Sequence, residues 1–114
     1  MPQAYTATVL GVAHMEFASA FADTATEAHY RRIMDRFADY FERCTVLGSD
    51  GSVQAFCYQV GDGNIDHGYW GAPEKQSSRS GQATFTSDSA TCTDIVSETA
   101  AALAAYYLNY KDAK

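Results

Sequence analysis

The sequence predicts an all-α fold: three helices and one long decorated loop that together read as a slice of a larger helical body. Three observations lead there. The segments near the two ends of the 114-residue chain are apolar around nearly the whole of a helical wheel. The segment between them is apolar on one side only. From Gly61 to Thr93 neither helical nor strand periodicity is present.

The first helix is predicted from Gln3 to about Ala22, where Tyr5, Val9, Leu10, Val12, Ala13, Met15, Phe17, Ala18 and Phe21 leave no polar face. Such a helix needs neighbours all round. The second runs from about Thr26 to Cys44, with Thr24 or Thr26 as N-cap and Tyr30, Ile33, Met34, Phe37, Phe41 and Cys44 on one stripe. Arg31, Arg32, Asp35, Arg36, Asp39 and Glu42 alternate in sign on its other side, as a solvated surface does. "GSDGS" then marks a turn, and "SVQAFCYQV" alternates as a short strand. Within the loop, "KQSSRSGQATFTSDSAT" has the composition of a disordered insert. The third helix is predicted to open on Asp94 as N-cap and to run through "IVSETAAALAAYYLNY", with Glu98 in its first turn. Two helices needing neighbours on every side cannot both be covered by one another and a third. Apolar surface is therefore expected to stay bare, and the chain to self-associate or pack loosely.

Composition narrows the function. Eight basic against 14 acidic side chains give a net charge of -6, which leaves little from which to build a nucleic-acid surface. No apolar run approaches the ~20 residues that cross a bilayer, and "MPQAYTATVL" has neither the basic nor the apolar region of a secretory signal. Cys44, Cys57 and Cys92 are odd in number and widely spaced, and read as buried small hydrophobes. No linker divides residues 1–114, so a single domain is expected, and no cofactor motif occurs.

The chemistry concentrates in "QVGDGNIDHGYWGAPE", Gln59 to Glu74. Asp62, Asn64 and Asp66 alternate like the first ligands of a calcium loop, but His67 stands where that loop needs glycine and Pro73 where it needs glutamate. His14 and His29 lack the spacing to join His67 on zinc. A phosphate cradle lacks its lysine and would face acids. Sugar binding suits the residue types better. Trp70 offers a flat apolar platform, while Asp62, Asn64, Asp66 and His67 offer donors and acceptors for hydroxyls. The structural alternative, that Tyr69 and Trp70 anchor the loop to a core while Asp66 caps a turn, stays open on these grounds.

The same stretch resembles the Gln-Val-Gly-Asp-Gly-x-x-Asp-His-x-x-Trp-x-x-Pro-Glu signature of the family-nine glycoside hydrolases, the inverting cellulases and endoglucanases. "PQAYTATVLG" is similar to the start of that family's barrel helix beyond its catalytic aspartates, and "CTDIVSETAAALAA" to its Ser-Asp-Val-Ala-Gly-Glu-Thr-Ala-Ala-Ala helix. "RRIMDRFADYFERC" takes the place of the helix between them. The resemblance implies a partial (α/α)6 barrel and a β-1,4-glucan or cello-oligosaccharide as partner. It implies that His67 hydrogen-bonds a glucosyl unit and that Trp70 lines the cleft. Tyr69 would be a lesser platform, and Asp62 and Asp66 would hold the loop's shape.

The family's Asp-Ala-Gly-Asp base motif and its glutamate acid have no counterpart in residues 1–114. Inverting hydrolysis needs two carboxyls roughly 6.5–9.5 Å apart. The chain is therefore expected to be an internal fragment that binds without catalysing; a small standalone glucan-binding or helical interaction module is the alternative. The family is mostly secreted, whereas this sequence carries no signal of its own. "SSRSGQATF" departs from the family's Arg-Pro segment, which leaves a contact from Arg79 unsupported.

Overall fold

The computed structural model describes residues 2–77 and 81–111. Its elements run α1 (Pro2–Glu16), α2 (Ala18–Asp23), α3 (Glu27–Cys44), β1 (Thr45–Leu47), β2 (Val53–Val60), α4 (Gly63–Gly68), a 3₁₀ turn (Pro73–Lys75), β3 (Ala83–Phe85) and α5 (Thr93–Tyr110). The fold is mostly helical, but the all-α expectation needs correction, because β1, β2 and β3 form an antiparallel sheet in that order. β1 and β2 make a hairpin across a turn in which Gly51 takes φ +80° and Asp50 Oδ1 accepts from the Ser52 amide and hydroxyl. β3 forms within the segment whose composition suggested disorder. Cys57, Gln59 and Val60 pair with Phe85, Thr84 and Ala83, and Thr86 exchanges bonds with the Phe56 backbone. A partner strand 23 to 28 positions away thus imposes extended structure that local sequence does not encode.

The single first helix of the sequence reading is two. Phe17 leaves helical geometry at φ -127°, ψ 35°, although neither proline nor glycine stands there. The bend lets Phe21 of α2 turn back onto His14 at 5.0 Å and Tyr30 at 4.9 Å, so packing sets the break. Thr26 occupies the N-cap of α3 without a side-chain cap bond. Its hydroxyl donates instead to Phe21 O, and that of Thr24 to Ala20 O, closing α2 rather than opening α3. At α5 the cap is Cys92, in a left-handed conformation, and not Asp94. Asp94 lies inside the first turn, where its charge faces the positive end of the helix dipole. Because the helix opens at Thr93, Glu98 falls beyond that turn.

Small residues bring α1 and α5 together. Ala4, Ala7 and Gly11 form the buried stripe of α1, and Ala102 and Ala105 face it from α5. A Cβ on Gly11 would lie 2.7 Å from that of Ala105, so the backbones meet at a spacing only glycine permits. Asn109 Nδ2 donates across the seam to Gly11 O at 3.0 Å and, within α5, to Ala105 O at 2.7 Å. Its Oδ1 meets His14 Nδ1 at 2.7 Å, and His14 Nε2 meets Glu27 at 2.8 Å, tying α1 to α5 and α3.

α3 buries Tyr30, Met34, Ala38, Phe41 and Cys44. Its charged side is less solvated than its alternation suggested. Arg31 and Asp35 are half-buried, Tyr106 of α5 donates to Asp35 at 2.6 Å, and the Arg31 guanidinium lies 3.8 Å from the centre of the Tyr110 ring. The outer face of α1 keeps Tyr5, Val9, Val12 and Met15 in solvent, with Phe17 beside it and Tyr107 and Leu108 on α5. No described helix is long and apolar enough to cross a membrane.

Candidate functional site

β2 delivers the chain to the loop through Gly61, whose φ of +91° turns it sharply while its amide donates to Gln82 O at 2.8 Å. Asp62 follows in extended geometry as the N-cap of α4. Its Oδ1 accepts from the amides of Asn64 at 2.8 Å and Ile65 at 3.4 Å, satisfying donors that the first helical turn leaves unpaired. One turn on, the Asp66 amide donates to Asp62 O. Asp66 Oδ1 accepts from Gln76 Nε2 at 2.9 Å, which ties α4 to the chain leaving the 3₁₀ turn. Both carboxylates therefore brace the loop.

Tyr69 folds back on the following residues. It is half-buried, and its hydroxyl donates to Ala72 O at 3.1 Å. A Cβ at Gly71 would come within 2.7 Å of that hydroxyl, so glycine there leaves the ring its seat. Tyr69 is a local clamp in this arrangement. Gly63 and Gly68 lie within α4 with open space around them, and a positive φ is found at Gly61 but not at these two.

His67 and Trp70 emerge from this braced loop into solvent. Their ring centroids are 6.1 Å apart at 64°, with the imidazole edge-on to the indole. Trp70 is 88% exposed, so it is not packed into any core that the described residues form. A broad apolar ring held out to water next to an imidazole can stack on one face of a flat, hydroxyl-rimmed ligand while the imidazole bonds the rim. Of the five residues the sequence singled out, the structure thus brings His67 and Trp70 together as an exposed ring pair and ties Asp62, Asp66 and Tyr69 into hydrogen bonds within the loop.

Sequence reasoning missed Gln76, which holds Asp66, and the Gln82 carbonyl, which holds Gly61. Both lie in the polar segment assigned to disorder; the side-chain amide of Gln76 among serines could have drawn attention to it, whereas the Gln82 contact is made by backbone and carries no residue-type signal. Arg79 lies outside the described residues. Among the described residues, no group of three or more His, Cys, Asp or Glu side chains is placed to hold a metal ion.

Comparison with known proteins places this geometry. The chain is 32% identical over 111 residues to an endoglucanase of Dictyostelium discoideum, covering 97% of this chain and 15% of that protein. It is 33% identical to endoglucanase 20 of Oryza sativa subsp. japonica, over 97% of this chain and 20% of the other. The chain thus spans a fifth or less of these relatives. Its structure superposes on the catalytic domain of Clostridium thermocellum CelT with a TM-score of 0.87 at 45% identity, covering 99% of this chain and 23% of that one. The sequence model of glycosyl hydrolase family 9 matches residues 1–114, and the chain belongs to that family.

Proposed function

We propose that residues 1–114 are the glucan-holding part of an endo-β-1,4-glucanase site: a piece of an (α/α)6 barrel whose Gln59–Glu74 loop grips cellulose or a cello-oligosaccharide. The observation that carries this reading is the Trp70 indole, 88% exposed beside the His67 imidazole on a braced loop. Family membership and the names of the relatives support the substrate class. Trp70 stacks on the apolar face of a glucosyl ring, and His67 bonds its hydroxyls. Asp62, Asp66 and Tyr69 fix where the two rings stand.

Cleavage is a separate requirement. An inverting hydrolase protonates the leaving oxygen with one carboxyl and activates water with another, and no residue of 1–114 is assigned to either role. Asp62 and Asp66 each spend an oxygen on bracing the loop. The reading therefore expects binding by these residues and bond scission by carboxyls outside them. A helical interaction module with its aromatics as core anchors is disfavoured, because Trp70 contacts solvent over most of its surface.

Calorimetric titration with cellohexaose tests the proposal. A sugar covering one indole face buries about 100 Å² of the 150–250 Å² an aromatic offers. At ~25 cal/mol/Å² that contributes about 2–3 kcal/mol, so Trp70→Ala should weaken binding roughly 30- to 150-fold. Equal affinity in Trp70→Ala and the parent chain would overturn the reading, as would reducing-sugar release that Asp66→Ala abolishes. The bare face around Tyr5, Val9 and Val12 is further expected to drive self-association, which sedimentation at rising concentration would register.

A further inference from the structure

Two of the three cysteines, far apart in sequence, meet in the fold. β1 pairs with β2 in the register Thr45 opposite Phe56 and Val46 opposite Ala55. Cys44, the last residue of α3, directly precedes Thr45, and Cys57 directly follows Phe56, so the two cysteines flank the same paired position from adjoining segments. Paired antiparallel residues at that position have Cα atoms about 4.5–5.5 Å apart, which keeps the residues flanking them near the roughly 4.4–6.8 Å that a disulfide spans. Both side chains are buried in one cluster with Phe56, against which Tyr40, Tyr58, Ile95 and Val96 pack. Both are free thiols, and Cys57 Sγ donates weakly to Gln59 O at 3.5 Å.

We propose that Cys44 and Cys57 are a disulfide-forming pair that staples the end of α3 to the strand delivering the Gln59–Glu74 loop. Burial first, and then the adjacent Cys57 thiol, push the Cys44 thiol up, against a lowering bond from Tyr40, so the folded reduced pair is slow to react. A small-molecule disulfide such as oxidised glutathione supplies the oxidising equivalent. One cysteine thiolate attacks a glutathione sulfur, expelling one glutathione thiolate and leaving a mixed disulfide. The second cysteine thiolate attacks the protein sulfur of that mixed disulfide, forming Sγ–Sγ and expelling the second glutathione. The protein loses two protons and two electrons, and the glutathione disulfide is reduced to two thiols. Cys92, half-buried at the head of α5, takes no part.

The test exposes the full chain to a glutathione redox buffer, both folded and during refolding from urea, then blocks free thiols in denaturant and maps peptides by mass. The expected result is a linked peptide joining Cys44 to Cys57, a fall in titratable thiols from three to one, and a higher melting temperature that dithiothreitol reverses. Cys92→Ser should form the same link completely, while Cys44→Ser and Cys57→Ser should lose the melting shift. Three free thiols at equilibrium, lasting glutathione adducts on Cys44 or Cys57, or a link through Cys92 would each overturn the proposal.

Discussion

Replacing Gly11 by alanine places a methyl carbon where the structure leaves 2.7 Å to Ala105 Cβ. Carbon atoms attract one another at about 3.5–4.0 Å, so α1 and α5 must move apart by ~1 Å along a seam lined with buried alanines. Overpacking of this kind costs about 1–3 kcal/mol. Two smaller effects oppose each other. Alanine gains up to ~1 kcal/mol over glycine in a helix interior, and parting the helices stretches the 3.0 Å bond from Asn109 to Gly11 O, worth ~1 kcal/mol. The net expectation for Gly11→Ala is a loss of about 1–3 kcal/mol, read as a lower urea midpoint in circular dichroism at one low protein concentration. Adding Ala105→Gly should recover part of the loss by removing the opposing methyl. Gly11→Ala as stable as the parent, or more so, would refute the close-contact reasoning.

Asp62→Ala removes the cap of α4, and the amides of Asn64 and Ile65 should exchange with solvent about five-fold faster, the equivalent of ~1 kcal/mol, while α1 and α5 keep their protection. Unchanged exchange would show that the cap is idle. Among the described residues the buried Tyr110 hydroxyl has no partner in hydrogen-bond geometry, so Tyr110→Phe should be neutral or stabilise by up to ~1 kcal/mol in thermal unfolding, whereas a clear loss would reveal a bond, with the neighbouring Tyr30 hydroxyl as the candidate partner. Burial foremost holds the Tyr30, Tyr40 and Tyr110 hydroxyls and the Cys44 thiol protonated above their ordinary values of 10.0 and 9.0. The folded state then binds more protons than the unfolded one, so stability is full below about pH 9 and falls as pH rises past about 10. Urea midpoints across that range should decline, and less steeply in Tyr110→Phe.

What the sequence disclosed follows the reach of the interactions. The one-sided stripe of α3 was legible because Tyr30, Met34, Phe41 and Cys44 repeat at helical spacing and share one buried side. The all-round apolar character of α1 and α5 announced the bare face at Tyr5 and Val9, whereas the seam at Gly11 depends on which helix packs there and was not anticipated. β3 was invisible, since Ala83–Phe85 owes its extension to pairing with β2. The α1–α2 break was hidden for the same reason, being set by Phe21 on His14 and Tyr30. In the site, the residue types at His67 and Trp70 suggested sugar chemistry, but the exposure on which the proposed platform rests is a property of the folded loop. The bracing by Gln76 and the clamp of Tyr69 on Ala72 depend on turns whose geometry no periodicity encodes.

Trp70 is the single tryptophan of the chain, so its fluorescence reports on the proposed glucan platform alone. Titration with cellohexaose should shift and saturate that emission, and His67→Ala should move the midpoint of the response to higher cellohexaose concentration. Emission that stays unchanged up to millimolar cellohexaose, in a chain whose circular dichroism confirms the helical fold, would contradict the account.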